Sequence, residues 1–386
     1  MNESTFTPGG GQADTPVRGQ SPAGLEAVGS VAVRTFANHQ HMTTPQKSMD
    51  GPHVNSMAGD LSGREPTGFA DYDEVPEGHF YDPDAEYEPD PEYAATLAPD
   101  AARQRRERIG PTGRPLPYFP IPGPLTGHGP AKIIAMCNQK GGVGKTTSTI
   151  NLGAALAEYG RRVLLVDFDP QGALSVGLGV NPMELDLTVY NLLMERGMSA
   201  DEVLLKTAVP NMDLLPSNID LSAAEVQLVS EVARESTLQR ALKPLVADYD
   251  YIVIDCQPSL GLLTVNALTA AHKVIVPLEC EFFALRGVAL LTETIEKVQE
   301  RLNPELELDG ILATMYDSRT VHSREVLARV VEAFDDHVYH TVIGRTVRFP
   351  ETTVAGEPIT TYASNSVGAA AYRQLAREVL ARCHAE

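Results

Sequence analysis

Tryptophan is absent from this chain of 386 residues, and cysteine is scarce. The four cysteines, Cys137, Cys256, Cys280 and Cys383, form no C-x-x-C pair, and their spacing fits neither a zinc site nor a disulfide framework. No stretch reaches the ~20 consecutive apolar residues that a membrane-spanning helix needs. The N-terminus also lacks the basic and then apolar pattern of a secretory signal. These absences predict a protein of a reducing, cytoplasmic compartment that makes no membrane contact.

Positive charge is also in short supply. The chain has 31 Lys and Arg residues against 51 Asp and Glu residues, which gives a formal net charge of -20. An acidic surface repels DNA and anionic membranes, so any contact with nucleic acid must come from a local basic patch. Hydrophobic residues make up 43% of the chain, which is enough for part of it to bury a core.

The composition changes sharply about a third of the way along the chain. Before that point Pro, Gly, Ser and charged residues dominate and no apolar periodicity persists, so we predict a disordered extension and linker over 1–128 and a folded domain over 129–386. Residues 71–93 carry acids and tyrosines but no Lys or Arg, and residues 111–130 indicate a stiff, proline-rich linker. The acidic stretch is either a solvated tail or a segment that docks on a partner or on a basic patch of its own chain.

Short apolar runs then alternate with helical patterns. A helix is predicted over 147–160. The predicted strands are residues 132–138, 162–169, 250–256, 273–279 and 309–316. Near-continuous β-branched and leucine-rich strands separated by helices indicate a doubly wound α/β fold, in which a mostly parallel sheet is covered by helices on both faces.

A glycine-rich loop, KGGVGKTT, joins the first strand to the predicted helix. In this context backbone N–H groups at the helix start point at an anion, and the glycines let phosphate oxygens come close. Lys145 would neutralise the β and γ phosphates of ATP, and Thr146 would place its hydroxyl on Mg²⁺. The predicted nucleotide-binding residues are Lys140, Gly141, Gly142, Val143, Gly144, Lys145, Thr146 and Thr147.

Carboxylates at the ends of two apolar strands complete the predicted chemistry. Asp255 ends the run YIVID, where it is suited to hold Mg²⁺ together with Thr146. Asp169 ends the run VLLVDFD, where it is suited to orient or deprotonate the attacking water and to lie near the metal. Asp167 lies on the same side of that strand and is predicted to join the nucleotide site. Burying such charges is costly, which favours a functional role.

The blocks KGGVGKTT, VLLVDFDPQG and YDYIVIDCQPSLG together resemble the deviant Walker A ATPases, and within them the ParA/Soj chromosome- and plasmid-partitioning proteins. The resemblance covers about 131–386. It implies that Lys140 is the signature lysine, which reaches across a two-fold interface to the nucleotide of the other subunit, so that a homodimer sandwiches two ATP molecules. Catalysis by Asp169 and Lys140 then gives slow ATP hydrolysis, which a ParB-type partner stimulates.

The same resemblance implies DNA binding. By position Arg319 and Arg348 match the DNA-contacting arginines of the family, and Arg324 and Arg345 lie close enough in sequence to extend the patch. Such basic side chains suggest phosphate contacts without sequence preference and a protein associated with the nucleoid. Two alternatives stay open: an orphan relative that positions another cargo, and a regulatory binder that does not hydrolyse ATP.

Overall fold

The computed structural model describes residues 108–281 and 284–384. In these ranges seven strands form one sheet in the order β3-β4-β2-β5-β1-β6-β7, and all neighbouring strands are parallel except β3 and β4. The strands are β1 (Lys132–Met136), β2 (Val163–Phe168), β3 (Leu205–Lys206), β4 (Met212–Leu215), β5 (Tyr251–Cys256), β6 (Lys273–Glu279) and β7 (Glu307–Thr314). The predicted fold class is confirmed.

Helices cover both faces of this sheet. In the described part of the chain they are α1 (Lys145–Glu158), α2 (Ala173–Gly177), α3 (Val189–Met194), α4 (Ala200–Val203), α5 (Leu221–Gln227), α6 (Thr237–Leu242), α7 (Leu262–Ala270), α8 (Ala284–Arg301), α9 (Val321–Phe334), α10 (Arg348–Ala355), α11 (Ile359–Tyr362) and α12 (Val367–His384). The helix predicted over 147–160 is α1, which begins two residues earlier than predicted.

Each central strand contributes side chains to two hydrophobic cores, because successive residues of a strand point to opposite faces. Ile134 and Met136 of β1 pack on the side of α1 and α12. Ile133 and Ala135 pack on the other side, with α7, α8 and α9. The parallel strands all end at one edge of the sheet, here called the carboxyl edge, and the loop between β1 and α1 lies there.

Residues 108–130, here called the strap, run along the opposite edge of the sheet. Arg114 donates from Nη1 to the carbonyl oxygen of Asp335 over 2.8 Å and from Nη2 to that of Val338. His128 lies 2.8 Å from a carboxylate oxygen of Asp250, next to the start of β5. The strap is therefore attached at both of its ends.

The strap falls within the segment for which the sequence predicts disorder, 1–128. In the structure a few long-range hydrogen bonds hold residues 108–128, although this segment has no apolar periodicity. Arg161, for example, donates to the carbonyl oxygen of Gly123 over 2.9 Å. The rest of the predicted extension, including the acidic stretch 71–93, lies outside the described residues. The division at residue 128 into extension and domain stays a prediction.

Candidate nucleotide and DNA site

The glycine-rich loop has the backbone shape of a phosphate cradle. Gly142 and Gly144 adopt φ values of 76° and 85°, a region that disfavours residues with a Cβ. No side chain of the described residues caps the start of α1, so its first N–H groups remain available to an anion. Val143 is buried, and its carbonyl oxygen accepts from Oγ1 of Thr314 at the end of β7 over 2.8 Å. The loop is thus attached to the end of β7 through Val143, while Gly141 and Gly142 are exposed to solvent.

The two residues after the glycines point to the places that the sequence predicts. Lys145 is buried, and its amine donates to the carbonyl oxygen of Lys140 over 3.1 Å, which keeps it inside the loop. Oγ1 of Thr146 donates to Oδ2 of Asp255 over 2.7 Å. Gly141 is exposed at the loop, and Thr147 lies in the first turn of α1. The structure therefore brings the predicted lysine, hydroxyl and carboxylate together at one edge.

Asp167 and Asp255 are buried neighbours on β2 and β5. Burial raises the pKa of Asp255 to about 8, with repulsion from Asp167 as the next cause. Burial also raises the pKa of Asp167 to about 6, although hydrogen bonds from the backbone N–H and hydroxyl of Ser175 act in the opposite direction. The charge of the nearby Lys145 lowers the pKa of Asp255 but does not offset these two causes.

A magnesium ion with a nucleotide fits this set of oxygens. Mg²⁺ is usually held by one or two carboxylates, with water and substrate phosphates as its other ligands. Thr146 and Asp255 offer a hydroxyl and a carboxylate 2.7 Å apart. Asp169 follows β2 at the same edge, is partly exposed and accepts from the backbone N–H of Gln171 over 3.0 Å. Its carboxylate is therefore accessible to a water molecule.

The amine of Lys140 contacts two glutamates of its own chain that lie at and just after the end of β6. The amine nitrogen lies 2.8 Å from Oε2 of Glu279 and 2.5 Å from Oε2 of Glu281. Neither glutamate is among the predicted site residues. Glu279 ends the apolar strand β6, so the rule that identifies Asp169 and Asp255 applies to it as well. The pairing of Glu281 with Lys140 has no local sequence signal.

The predicted DNA-contacting loops meet in space. The backbone of Tyr316 pairs with that of Gly344, which joins the loop that carries Arg319 to the loop that carries Arg345. Nε of Arg319 contacts Asp317 over 2.9 Å, and Nη2 of Arg345 is 3.5 Å from Glu279. Both guanidinium groups are themselves exposed, and ion pairs made at exposed guanidinium groups are weak, so both remain able to contact phosphates.

The other two arginines are exposed as well. Arg324 lies in the first turns of α9, and Arg348 begins α10 and contacts Glu351 over 2.9 Å. Arg348 also lines a cavity of about 520 Å³ with Tyr362 and the residues before α12. The four predicted arginines are thus all on the surface, each within reach of solvent.

Comparison with known proteins agrees with this geometry. Residues 131–308 match the family model of an AAA domain. A chromosome partitioning protein ParA of Caulobacter vibrioides is 48% identical over 255 residues, which are 66% of this chain and 95% of the relative. The chain belongs to the ParA/Soj family.

Two further similarities extend the picture of this ParA/Soj protein. An uncharacterized protein of Mycobacterium tuberculosis is 69% identical over 274 residues, 71% of this chain and 86% of the relative. The solved structure of cobyrinic acid a,c-diamide synthase from Mycobacterium smegmatis, with bound ADP and magnesium, is similar with a TM-score of 0.59 and 46% identity, and the match covers 66% of this chain and 96% of that chain. None of the helices in the described ranges has the length and apolar character that crossing a membrane requires.

Proposed function

We propose that this protein is an ATP-driven switch for DNA partitioning. The contact between Thr146 and Asp255 beside the buried amine of Lys145 supports it most directly, because it sets out a ready site for Mg²⁺ and a triphosphate. ATP binds through the loop from Lys140 to Thr147, and Thr146 and Asp255 hold the metal. Magnesium, when bound, neutralises charge on the β and γ phosphates.

Lys140 of a second subunit completes the charge balance in this proposal. One lysine and one metal leave the γ phosphate under-neutralised, so a lysine supplied by the partner stabilises ATP only in the dimer. ATP binding and dimerisation are then coupled. Asp169 positions the attacking water, and hydrolysis returns the protein to single subunits. Phosphoryl transfer depends mainly on positioning and charge stabilisation, so we expect slow turnover.

Dimerisation makes DNA binding conditional on ATP. Two sets of Arg319, Arg324, Arg345 and Arg348 double the number of phosphate contacts, and linked contacts raise affinity by orders of magnitude. DNA is then held without sequence preference, and the protein is nucleoid-associated. A ParB-type protein is the expected stimulator of hydrolysis, as the family implies. The cargo is chromosomal or plasmid DNA, or another object that an orphan relative would position.

The proposal is tested by the oligomeric state of the purified protein, measured with and without ATP and Mg²⁺. We expect a dimer only when ATP and Mg²⁺ are both present. Lys145→Ala should bind no nucleotide, and Lys140→Ala should bind nucleotide without forming a dimer.

The role of Asp169 is tested by phosphate release. Asp169→Ala should form a persistent dimer and release phosphate roughly 100-fold more slowly. Asp186→Ala, an exposed aspartate elsewhere, is the control. A Lys140→Ala protein that dimerises like the wild type would contradict the sandwich, and fast phosphate release from Asp169→Ala would contradict the water-positioning role.

A second candidate comes from the synthase name of the solved Mycobacterium smegmatis structure. An amide synthase uses ATP to activate a carboxylic acid, so its phosphate release should depend on an acid substrate. Exposed arginines on two adjoining loops favour DNA instead. Phosphate release measured with duplex DNA and, separately, with a cobyrinic acid substrate distinguishes the two functions.

A further inference from the structure

Two segments of the chain, residues 138–140 at the start of the phosphate loop and residues 277–281 at the end of β6, together hold the amine of Lys140. Its contacts with Glu279 and Glu281 are short, and its backbone N–H donates to Oδ1 of Asn138 over 2.9 Å. The amide of Asn138 donates in turn to the carbonyl oxygen of Pro277 over 2.7 Å. The start of the phosphate loop and the end of β6 are therefore tied together, and the lysine side chain lies along that tie.

The charges of Lys140 and the two glutamates support each other. Burial by itself lowers the pKa of Lys140, but the hydrogen bonds to both glutamates outweigh it and the net shift is upward. The bond to Lys140 lowers the pKa of Glu281. Lys140 and Glu281 therefore each favour the charged form of the other, and two carboxylates hold the lysine on its own subunit.

We propose that Glu279 and Glu281 form a carboxylate cradle that positions Lys140 and sets how readily this lysine crosses to the nucleotide of a second subunit. The inference rests on the proposed function, because it assumes that the lysine crosses. The cradle and the partner's triphosphate compete for one amine. ATP carries the greater charge and attracts the lysine, whereas the loss of the γ phosphate favours its return to the cradle.

The cradle opposes dimerisation, because it holds the lysine that the proposed dimer needs. If only a fraction of subunits have a free Lys140, the apparent affinity falls by that fraction. Arg345 contacts the other oxygen of Glu279, so this carboxylate keeps a cation when the lysine leaves. Glu281 is the better position for a test, because its side chain is 53% exposed whereas that of Glu279 is 14% exposed. Glu281→Gln removes charge with little effect on packing.

The first experiment measures how strongly the cradle holds the Lys140 amine in the nucleotide-free protein. Lysine acylation by a small anhydride, followed by mass spectrometry, reports how reactive the Lys140 amine is. We expect faster acylation of Lys140 in Glu281→Gln than in the wild type, with other lysines unchanged. Glu158→Gln is the matched control, because Glu158 is also paired, with Arg373, at the far end of α1. Equal acylation of Lys140 in all three proteins would overturn the proposal.

The second experiment measures dimerisation with ATP and Mg²⁺ by analytical ultracentrifugation. Losing one exposed ion pair changes an equilibrium roughly threefold, and because two lysines cross, Glu281→Gln should strengthen dimerisation roughly ninefold. This gain should vanish when Lys140→Ala is added. Unchanged or weaker dimerisation in Glu281→Gln would overturn the proposal. A normal dimer in Lys140→Ala alone would instead refute the proposed sandwich, while the acylation result still decides on the cradle.

Discussion

The pair of buried carboxyl groups on Asp167 and Asp255 has an electrostatic cost in the folded protein. Their pKa values of about 6 and about 8 both lie above the ordinary value of 3.8. Ionisation therefore penalises the folded state relative to the unfolded chain. The penalty is absent below the ordinary pKa, grows as the pH rises towards the folded-state values and is complete above them.

We expect the nucleotide-free protein to become less stable as the pH rises from about 4 to about 8, because over this range the unfolded chain has released protons that the buried pair still holds. Asp255→Asn should remove most of this loss. Urea unfolding at several pH values measures it, and the comparison with the variant separates Asp255 from other titrating groups. Mg²⁺ with ADP should also flatten the dependence by supplying a cation. A wild-type slope that persists unchanged in Asp255→Asn would contradict the assignment.

The strap is attached to the rest of the domain by few contacts, and each of them contributes substantially to its stability. The guanidinium of Arg114 reaches two carbonyl groups in the turn after α9, and hydrogen bonds that involve a charged group contribute about 1.5–3 kcal/mol each. The side chain is only 15% exposed, so solvent replaces these bonds poorly. The attachment is therefore a substantial part of the strap's stability.

Arg114→Ala should lower the free energy of unfolding by about 3 kcal/mol or more, because both hydrogen bonds are lost. Limited proteolysis should also cut the strap faster, since its first part would detach before the domain unfolds. Arg108→Ala, an exposed arginine of the same segment, serves as the comparison and should leave both measurements close to those of the wild type. Equal protease resistance in all three proteins would show that the anchor is dispensable.

Sequence patterns predict the strands and helices whose own residues form a continuous apolar or periodic run. Each long strand is a continuous apolar run, so its sequence identified it, whereas β4 was missed because it is short and contains Asp213. That aspartate is buried and accepts a hydrogen bond from Tyr249, a contact that no pattern reveals. The strap was missed because Arg114 and Asp335 are 221 residues apart in the chain.

The candidate site likewise combines residues that the local sequence predicts with contacts that only the fold reveals. The phosphate loop is predictable because its ligands are consecutive residues between a strand and a helix. Asp255 is predictable because a charged residue ends a buried strand. The contacts of Lys140 with Glu279 and Glu281 depend on β1 and β6 being neighbours in the sheet, and the strand order is not readable from the sequence.

For the whole molecule, the sign of the charge sets the conditions for DNA binding. A chain with a net charge of -20 is repelled by DNA except at its arginine loops, so the proposed binding needs several arginines at once and weakens steeply with salt. Each phosphate contact contributes about 0.9 to the slope of the logarithm of affinity against the logarithm of salt concentration.

Arg348→Glu should weaken ATP-dependent DNA binding and lower this salt slope by about 2, since a dimer loses two contacts. The ATP-dependent dimer should remain intact, because Arg348 is exposed and its ion pair is with Glu351 of its own helix. Arg301→Glu makes the same charge change at an exposed arginine that ends α8. Titrations of duplex DNA at several salt concentrations measure both variants. An equal loss in the two would mean that net charge matters and the predicted patch does not.

The hydrogen bond between His128 and Asp250 has a practical consequence for handling the protein. It holds the C-terminal end of the strap beside the start of β5, at the edge of the sheet opposite the phosphate loop. A fluorophore or a surface tether attached within the strap would therefore lie far from the loop that we propose faces the second subunit, whereas a label placed directly after β6 would lie beside Lys140 and its two glutamates.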